Sequence, residues 1–239
     1  MDPQQKAVAE EFDQYGETYS QAVNGALAFS GLKVDFFTRV KADYLGDILV
    51  DHFGEMSNLS ILDVGCGVGN YHALVKKNVR ALTGIDVSER CVGKARVDNP
   101  EVHYDTYDGQ KLPYADGTFD AAFTVCVMHH VPPPQWDAFA SEMFRVLRPG
   151  GMAVVFEHNP ANLLTMRVVN RCAFDRDAVL LDAKETANRF ERSGFALVKR
   201  RFILTLPASN SVLRKLDRVF ARLPLGAQYY VSAVKAGER

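Results

Sequence analysis

The stretch Ile61-Leu62-Asp63-Val64-Gly65-Cys66-Gly67-Val68-Gly69-Asn70 decides the fold of this chain. Its apolar first half predicts a buried strand. The three glycines that follow predict a tight turn, where a ligand can approach the backbone without meeting a Cβ atom. A helix is expected to begin near Tyr71 and to direct its amino end at the same turn. The stretch therefore predicts the strand–loop–helix unit of a nucleotide-binding α/β sheet.

The spacing of the glycines and the acid before them indicate what kind of nucleotide fits. A dinucleotide fingerprint reads G-x-G-x-x-G, whereas this loop reads G-x-G-x-G and has Asn70 in the place of the third dinucleotide glycine. Asp63 stands two residues before the first glycine. A carboxylate there disfavours a pyrophosphate but can pair with an ammonium group. The pattern favours a ligand with an amino-acid head over NAD(P).

A second acid closes the next predicted strand, in Gly84-Ile85-Asp86-Val87-Ser88. A carboxylate at the end of that strand can accept hydrogen bonds from both hydroxyls of a ribose. A glycine loop alone is a weak signal. A specific signal comes from the loop, the acid before it and Asp86 together.

Further apolar runs alternate with helical stretches along the chain. Strands are expected at 80–87, 102–104, 119–127, 152–156, 195–206 and 228–234, and helices at 136–147 and 182–194. Such alternation predicts βαβ units and a mostly parallel sheet with both faces covered.

Two regions fall outside this alternation. Residues 1–58 read as helices and are interpreted as an N-terminal helical cap on a core at 59–239. Residues 157–181 are irregular and are interpreted as an inserted cap that selects the acceptor.

The segment 212–223 carries an apolar stripe at helical spacing, with basic residues on its other faces. These basic residues are Arg214, Lys215, Arg218 and Arg222. They allow an anionic substrate or a membrane surface, but a solvated polar face is the favoured interpretation because the chain as a whole is nearly neutral.

Composition and charge exclude several classes of function. The 28 Lys and Arg against 29 Asp and Glu give a formal net charge of −1, so no nucleic-acid partner is expected. No run of roughly 18 apolar residues predicts a membrane span, and no export signal is visible, so a cytoplasmic location is expected. The four cysteines form no C-x-x-C pair, so free thiols and no metal site are expected. They are Cys66, Cys91, Cys126 and Cys172.

These motifs resemble the class I S-adenosylmethionine-dependent methyltransferases, in particular the small-molecule enzymes of ubiquinone, sugar and natural-product methylation. The segments 107–114, 116–120, 127–131 and 147–151 extend the resemblance from residue 61 to residue 156. It implies a Rossmann-like, mostly parallel seven-stranded sheet with helices on both faces and an antiparallel final strand.

The resemblance also implies S-adenosylmethionine as cofactor, S-adenosylhomocysteine as product and a set of binding residues. Asp63 with the loop residues Gly65, Cys66, Gly67 and Asn70 would hold the methionine end. Asp86 and Val87 would hold the ribose, and Asp108 and Gly109 the adenine. Val125 and Cys126 would lie near the amino-acid head, and Tyr19 would reach the cofactor from an N-terminal lid.

Three side chains at the carboxyl ends of the fourth and fifth strands are the candidates for catalysis: His130 first, then His129 and Glu157. A histidine that only binds backbone at a helix start, and a glutamate that only supports a neighbour, are the open alternatives. The expected reaction is O-methylation of a hydroxyl or carboxyl group on a sugar, lipid or secondary metabolite. N- or C-methylation, a non-catalytic cofactor-binding module and an NAD(P)-dependent oxidoreductase stay open, as does the choice between monomer and homodimer.

Overall fold

A seven-stranded sheet forms the centre of the molecule. The structure is a computed structural model that describes residues 3–15, 19–28, 31–175 and 178–237. The spatial order of the strands is β3-β2-β1-β4-β5-β7-β6. The strands are β1 Ser60–Val64, β2 Ala81–Asp86, β3 His103–Thr106, β4 Phe119–Val125, β5 Leu147–His158, β6 Ala196–Ile203 and β7 Gln228–Val234. The Rossmann-like fold expected from the sequence is confirmed.

The strand directions place a crevice at one edge of the sheet. β1 to β5 run parallel, and β7 pairs antiparallel with both β5 and β6. The chain moves outward from β1 through β2 to β3, and then crosses back to β4 on the other side of β1. Open α/β sheets bind ligands at such a switch point, outside the carboxyl ends of the strands.

Helices cover both faces of the sheet. They are α1 Pro3–Tyr15, α2 Tyr19–Leu27, α3 Val34–Phe53, α4 His72–Val75, α5 Glu89–Asp98, α6 Trp136–Val146, α7 Leu163–Val169, α8 Ala183–Arg192 and α9 Ser211–Asp217. Tyr44 and Leu49 of α3 belong to one buried apolar cluster with Phe123 of β4. Met143 of α6 and Phe190 of α8 belong to a second cluster. Burial of these two layers fixes the helices on opposite sides of the sheet.

The fifth strand is longer than the sequence pattern predicts. The breaker cluster 148–151 was expected to end a helix before a strand at 152–156, yet β5 begins at Leu147. Gly150 donates its N–H to the carbonyl of Lys235 at 2.8 Å, and Lys235 donates to the carbonyl of Gly151 at 2.9 Å. Backbone pairing with the end of the chain therefore continues the ladder through the glycines.

The region 157–181 contains a helix where irregular chain was expected. Asn162 accepts a hydrogen bond from the N–H of Thr165 and so caps α7 at its amino end.

Within the described residues, no helix has both the length and the apolar composition that a membrane span requires.

The interpretation of the basic residues in 212–223 as a solvated face is wrong for Arg214. Its guanidinium pairs with Asp43 at 2.7 Å and with Asp47 at 3.2 Å, both on α3. Arg218 pairs with Asp47 at 2.8 Å. These ion pairs hold Arg214 and Arg218 against α3, a contact that periodicity does not reveal.

Candidate active site

The glycine loop after β1 leaves open space at its centre. Gly65, Gly67 and Gly69 have φ angles of 76°, 51° and 77°, a region that disfavours other residues. A Cβ atom at Gly65 would lie 2.6 Å from the side chain of Val127. A Cβ atom at Gly67 would meet nothing within 4 Å. The loop is therefore tight where it packs on the protein and open where a ligand can lie.

Asp86, at the end of β2, accepts hydrogen bonds that hold this loop in place. Its Oδ2 accepts the N–H of Gly67 at 2.8 Å, and its Oδ1 accepts the N–H of Ser88 at 2.9 Å. Burial raises the pKa of Asp86 to about 6, although both backbone donors act in the opposite direction. Hydroxyl donors of a ribose would stabilise this buried carboxylate further.

Asp63 has a buried partner that the sequence reasoning missed. His72 Nε2 lies 3.0 Å from Asp63 Oδ2, and His72 Nδ1 lies 2.5 Å from the hydroxyl of Tyr104. Burial raises the pKa of Asp63, and His72 opposes this rise. The pair is formed across neighbouring elements, so no spacing in the sequence indicates it.

These groups surround a first cavity of about 100 Å³. It is lined by Gln5, Val8, Phe12, Asp63, Gly65, Cys66, Gly67, Val68, Asn70, Tyr71, Asp86, Val87, Cys91, Tyr107, Val125, Cys126, Val127, His130 and Val131. The lining thus brings together most of the residues expected to hold the cofactor.

Two of the expected cofactor residues, Asp108 and Gly109, are not in this lining. Asp108 Oδ1 accepts hydrogen bonds from the N–H groups of Gln110 and Lys111, which hold the pKa of this carboxyl below its usual range. The carbonyl of Gly109 accepts a hydrogen bond from Gln5 at 3.5 Å. The side chain of Tyr19 lies outside the described part of the chain. The roles expected of these three residues stay predictions.

Helix α1 forms one wall of the first cavity. Gln5 Nε2 donates to Gln135 Oε1 at 2.7 Å, and Ser88 Oγ donates to Asp13 Oδ1 at 2.5 Å. Phe12 packs edge-on against His130, with ring centroids 4.9 Å apart. The N-terminal residues therefore contact both the turn after β2 and His130.

A second, mostly apolar cavity of about 350 Å³ adjoins the first. Its walls come from α2, α3, α7, the 3₁₀ turn at Ala173–Asp175 and the chain after β6. They include Val23, Leu27, Phe36, Phe37, Leu164, Val168, Phe174, Leu204 and Leu206. Six residues line both cavities: Phe12, Asn70, Tyr71, Val125, Cys126 and His130. Ligands in the two cavities would meet at this shared wall.

Glu157 and His129 form a buried pair behind the shared wall. Glu157 Oε1 accepts the N–H groups of Val127 and Met128 at 3.0 and 2.8 Å. Its Oε2 lies 2.5 Å from His129 Nδ1. Both side chains are almost completely buried. The glutamate thus fixes the turn after β4, and this position suits a supporting role better than contact with an acceptor.

Asp175 completes this network and was not among the expected site residues. Its Oδ1 lies 3.5 Å from His129 Nε2 and 3.3 Å from His130 Nε2. It comes from a 3₁₀ turn at Ala173–Asp175, within the inserted region. Only folding brings it to the two histidines, so the sequence gives no local signal for it.

The network shifts the pKa values of the two histidines in opposite directions. Burial lowers the pKa of His129, but the carboxylates of Glu157 and Asp175 outweigh it and raise the pKa well above its ordinary value. Burial and the neighbouring His129 lower the pKa of His130 to about 4. At neutral pH, His129 is therefore a cation and His130 a neutral imidazole.

Cys126 lies in the shared wall next to a buried cation. Its backbone has a φ of 56°, unusual for a residue with a side chain. Its Sγ lies 3.7 Å from Lys41 Nζ and 3.8 Å from Gln228 Nε2. Burial raises the pKa of the thiol, but Lys41 and His158 outweigh this effect and give a net lowering. All four cysteines are free thiols, as expected.

His129, His158 and Asp175 are the described residues whose ligand atoms come close enough to gather around a metal ion, within 4.8 Å of one another. Asp175 already pairs with two histidines, and His129 with two carboxylates. The arrangement is that of an ion-pair network.

The first cavity has the charges that S-adenosylmethionine requires. Among the described residues its lining contains two carboxylates, Asp63 and Asp86, and no lysine or arginine. Acidic groups suit the ammonium, the sulfonium and the ribose hydroxyls of this molecule, whereas a pyrophosphate prefers basic ones. The fold and the charges of this site fit a class I S-adenosylmethionine-dependent methyltransferase.

The comparisons with known proteins agree with this class. Residues 61–151 match a family model described as a methyltransferase domain. The family match and the curated relatives support a class I S-adenosylmethionine-dependent methyltransferase, with S-adenosylmethionine as cofactor.

Two curated relatives and one solved structure show how far the similarity extends. An uncharacterised methyltransferase of Synechocystis sp. is 32% identical over 105 residues, which are 44% of this chain and 50% of the relative. Squalene methyltransferase 1 of Botryococcus braunii is 31% identical over 163 residues, 62% of this chain and 43% of the relative. The chain thus spans half or less of the length of these relatives.

The solved structure is a Thermotoga maritima methyltransferase described as a possible histamine N-methyltransferase. It superposes with a TM-score of 0.69 at 18% identity, over 95% of this chain and 99% of the other. At this identity the likeness concerns the fold alone.

Proposed function

We propose that this chain transfers the methyl group of S-adenosylmethionine to a hydroxyl oxygen of a small, largely apolar acceptor bound in the second cavity. The observation that carries the proposal is the wall of six residues shared by the two cavities. A donor and an acceptor held on either side of it would be in contact. Such positioning supplies much of the rate enhancement of a displacement reaction, about 7–11 kcal/mol in favourable cases.

His130 is the proposed general base. It lines both cavities, and its Nε2 faces Asp175 at 3.3 Å. The carboxylate can accept a hydrogen bond from the N–H at Nε2, and this leaves Nδ1 unprotonated as the proton acceptor. The acceptor oxygen forms a bond to the methyl carbon as the bond from that carbon to sulfur breaks, and the hydroxyl proton passes to His130. Asp175 stabilises the imidazolium that results.

C-methylation of an isoprenoid is the second candidate. The cavity walls are mostly apolar, and a relative that matches 62% of this chain is named a squalene methyltransferase. An alkene acceptor has no hydroxyl proton, so His130 would instead remove a proton from the cation that follows carbon methylation.

Matched acceptors separate the two candidates. Formation of S-adenosylhomocysteine would be measured with farnesol against farnesene and with 1-naphthol against naphthalene, and the products identified by mass spectrometry. O-methylation predicts methyl ethers from the hydroxylated member of a pair only. Methylation of farnesene would favour the carbon reaction and overturn the oxygen one.

His130→Asn tests the base. The variant is expected to lower kcat by about 10²–10⁴-fold, the usual contribution of a positioned base. The affinity for S-adenosylhomocysteine, measured by calorimetry, should stay unchanged. His103→Asn is the matched control, because His103 is exposed on β3. Unchanged kcat in the His130 variant would contradict the assignment, and a wild-type protein that does not bind S-adenosylhomocysteine would overturn the proposed function itself.

A further inference from the structure

The segment 211–223, here called the reversed segment, follows β6 and has the opposite polarity to an ordinary surface helix. Arg214 points inward and pairs with Asp43 and Asp47 on α3, and the more exposed Arg218 pairs with Asp47. Large apolar side chains at helical spacing face the solvent in their place. A surface helix of a globular protein normally buries its apolar stripe and exposes its charges. The reversal leaves apolar area exposed with nothing in the described structure packed over it.

The neighbouring helix α7 extends this exposed surface. Asn162 Nδ2 donates to the carbonyl of Leu225 at 2.8 Å, and Thr165 Oγ1 donates to the carbonyl of Ala227 at 2.7 Å. The start of α7 therefore lies beside the end of the reversed segment. The side chains exposed on the two elements are here called the apolar patch: Leu163, Leu164, Val212, Leu216, Val219, Phe220, Leu223 and Leu225.

The two stretches that carry the patch have an excess of positive charge, and Asp43, Asp47 and Asp51 of α3 pair with two of their arginines, Arg214 and Arg218. The stretches 159–171 and 204–226 contain six basic residues and a single acid, Asp217. The basic residues are Arg167, Arg171, Arg214, Lys215, Arg218 and Arg222. Asp217 is fully buried. The exposed charges of these two stretches, among them Lys215 and Arg222, are therefore all positive.

The patch is continuous with the second cavity. Leu164 is 64% exposed and also lines that cavity. Thr165 and Val168 of α7 contribute to the same wall, as do residues 204–207, which connect β6 to the reversed segment. An apolar molecule that leaves a lipid phase at the patch would thus reach the cavity without crossing water.

We propose that the apolar patch docks this protein onto the surface of a bilayer that contains anionic lipids. Apolar side chains surrounded by lysine and arginine are the composition of elements that lie in a membrane interface, where the apolar groups enter the acyl boundary and the basic groups contact acidic headgroups. The proposal concerns binding to the lipid surface and does not depend on the methyl-transfer reaction.

Sedimentation with vesicles tests the proposal on the whole chain, without cofactor or acceptor. The probes are vesicles of phosphatidylcholine with 30% phosphatidylglycerol and vesicles of phosphatidylcholine alone. The protein is expected to bind the anionic vesicles and to bind the neutral vesicles more weakly. Added salt should reduce the binding to the anionic vesicles. A protein that stays in the supernatant with both kinds of vesicle overturns the proposal.

The double variant Leu163→Ser with Val219→Ser locates the contact. These side chains are 85% and 73% exposed, so the fold should tolerate their replacement. Loss of their burial in lipid is expected to lower the partition coefficient by about tenfold or more. Val97→Ser is the matched control, because Val97 is 79% exposed on α5 and lies outside the patch. An equal loss in the control, or none in the double variant, contradicts the assignment.

Sedimentation velocity without lipid gives the competing result. If the patch instead covers a second copy of the chain, wild-type protein would be a dimer, the double variant a monomer, and neither would bind vesicles. That combination overturns the membrane proposal in favour of self-association.

Discussion

At the scale of single residues, Cys126 is expected to be the reactive thiol of this protein. Lys41 and His158 lower its pKa, whereas burial raises the pKa of Cys91 to about 11 and also raises that of Cys66. The thiolate is the reactive form of cysteine. Iodoacetamide at pH 7 should therefore modify Cys126 first, as followed by peptide mass spectrometry.

Lys41→Met should slow this alkylation by about tenfold, the change in thiolate fraction that one pKa unit produces. Lys41→Arg is the matched control, because it keeps a positive charge near the sulfur. Bound S-adenosylhomocysteine should protect Cys126, since the side chain lines the first cavity. Equal alkylation rates in the wild type and the methionine variant would show that Lys41 does not lower the pKa of this thiol.

At the scale of the elements, Asp217 attaches α9 to the rest of the fold. Its Oδ2 accepts the hydroxyl of Tyr44 at 2.7 Å and the N–H of Leu204 at 2.8 Å, and its Oδ1 accepts the N–H of Leu206 at 2.8 Å. One buried carboxylate thus joins α3, the end of β6 and the carboxyl end of α9.

Asp217→Asn should lower the free energy of unfolding by about 3 kcal/mol, because the amide nitrogen would face a buried N–H donor and leave it unsatisfied. Asp43→Asn is the control, since this half-exposed partner of Arg214 should contribute no more than about 1 kcal/mol. Urea unfolding measures both values. Equal losses in the two variants would mean that the buried hydrogen bonds are not what holds α9.

The same elements show which features a sequence can predict. The strand–loop–helix unit follows from local chemistry, since an apolar run, the glycines and Asp86 act within a few residues of their partners. His72 and Asp175 acquire their roles from residues on other elements, and the inward turn of Arg214 depends on acids of α3. Hydrophobic periodicity shows which residues share a face of a helix but not which other elements that face contacts.

At the scale of the whole molecule, the buried network behind the shared wall governs how stability depends on pH. The pKa of His129 is raised on folding, so its contribution is complete below about pH 6.5 and is lost as the pH rises through the folded value. The pKa values of Glu157 and Asp175 are lowered, so their contributions are lost in acid. The lowered pKa of His130, about 4, also disfavours the folded state below pH 6.5. Together these shifts place the greatest stability near pH 6.5.

His129→Gln tests the predicted loss of stability above pH 6.5. Glutamine can donate to Glu157 but does not titrate, so the variant should lose the decline in unfolding free energy above pH 6.5, up to about 1.4 kcal/mol per pH unit for one proton. It should also be less stable by about 3–5 kcal/mol at pH 6.5, because two buried carboxylates lose their cation. Urea unfolding at pH 6.5, 7.5 and 8.5 gives both quantities, and His103→Gln should keep the wild-type slope. A His129 variant with the wild-type slope would show that this imidazole is neutral in the folded protein. Burial alone would then account for the lowered pKa of His130.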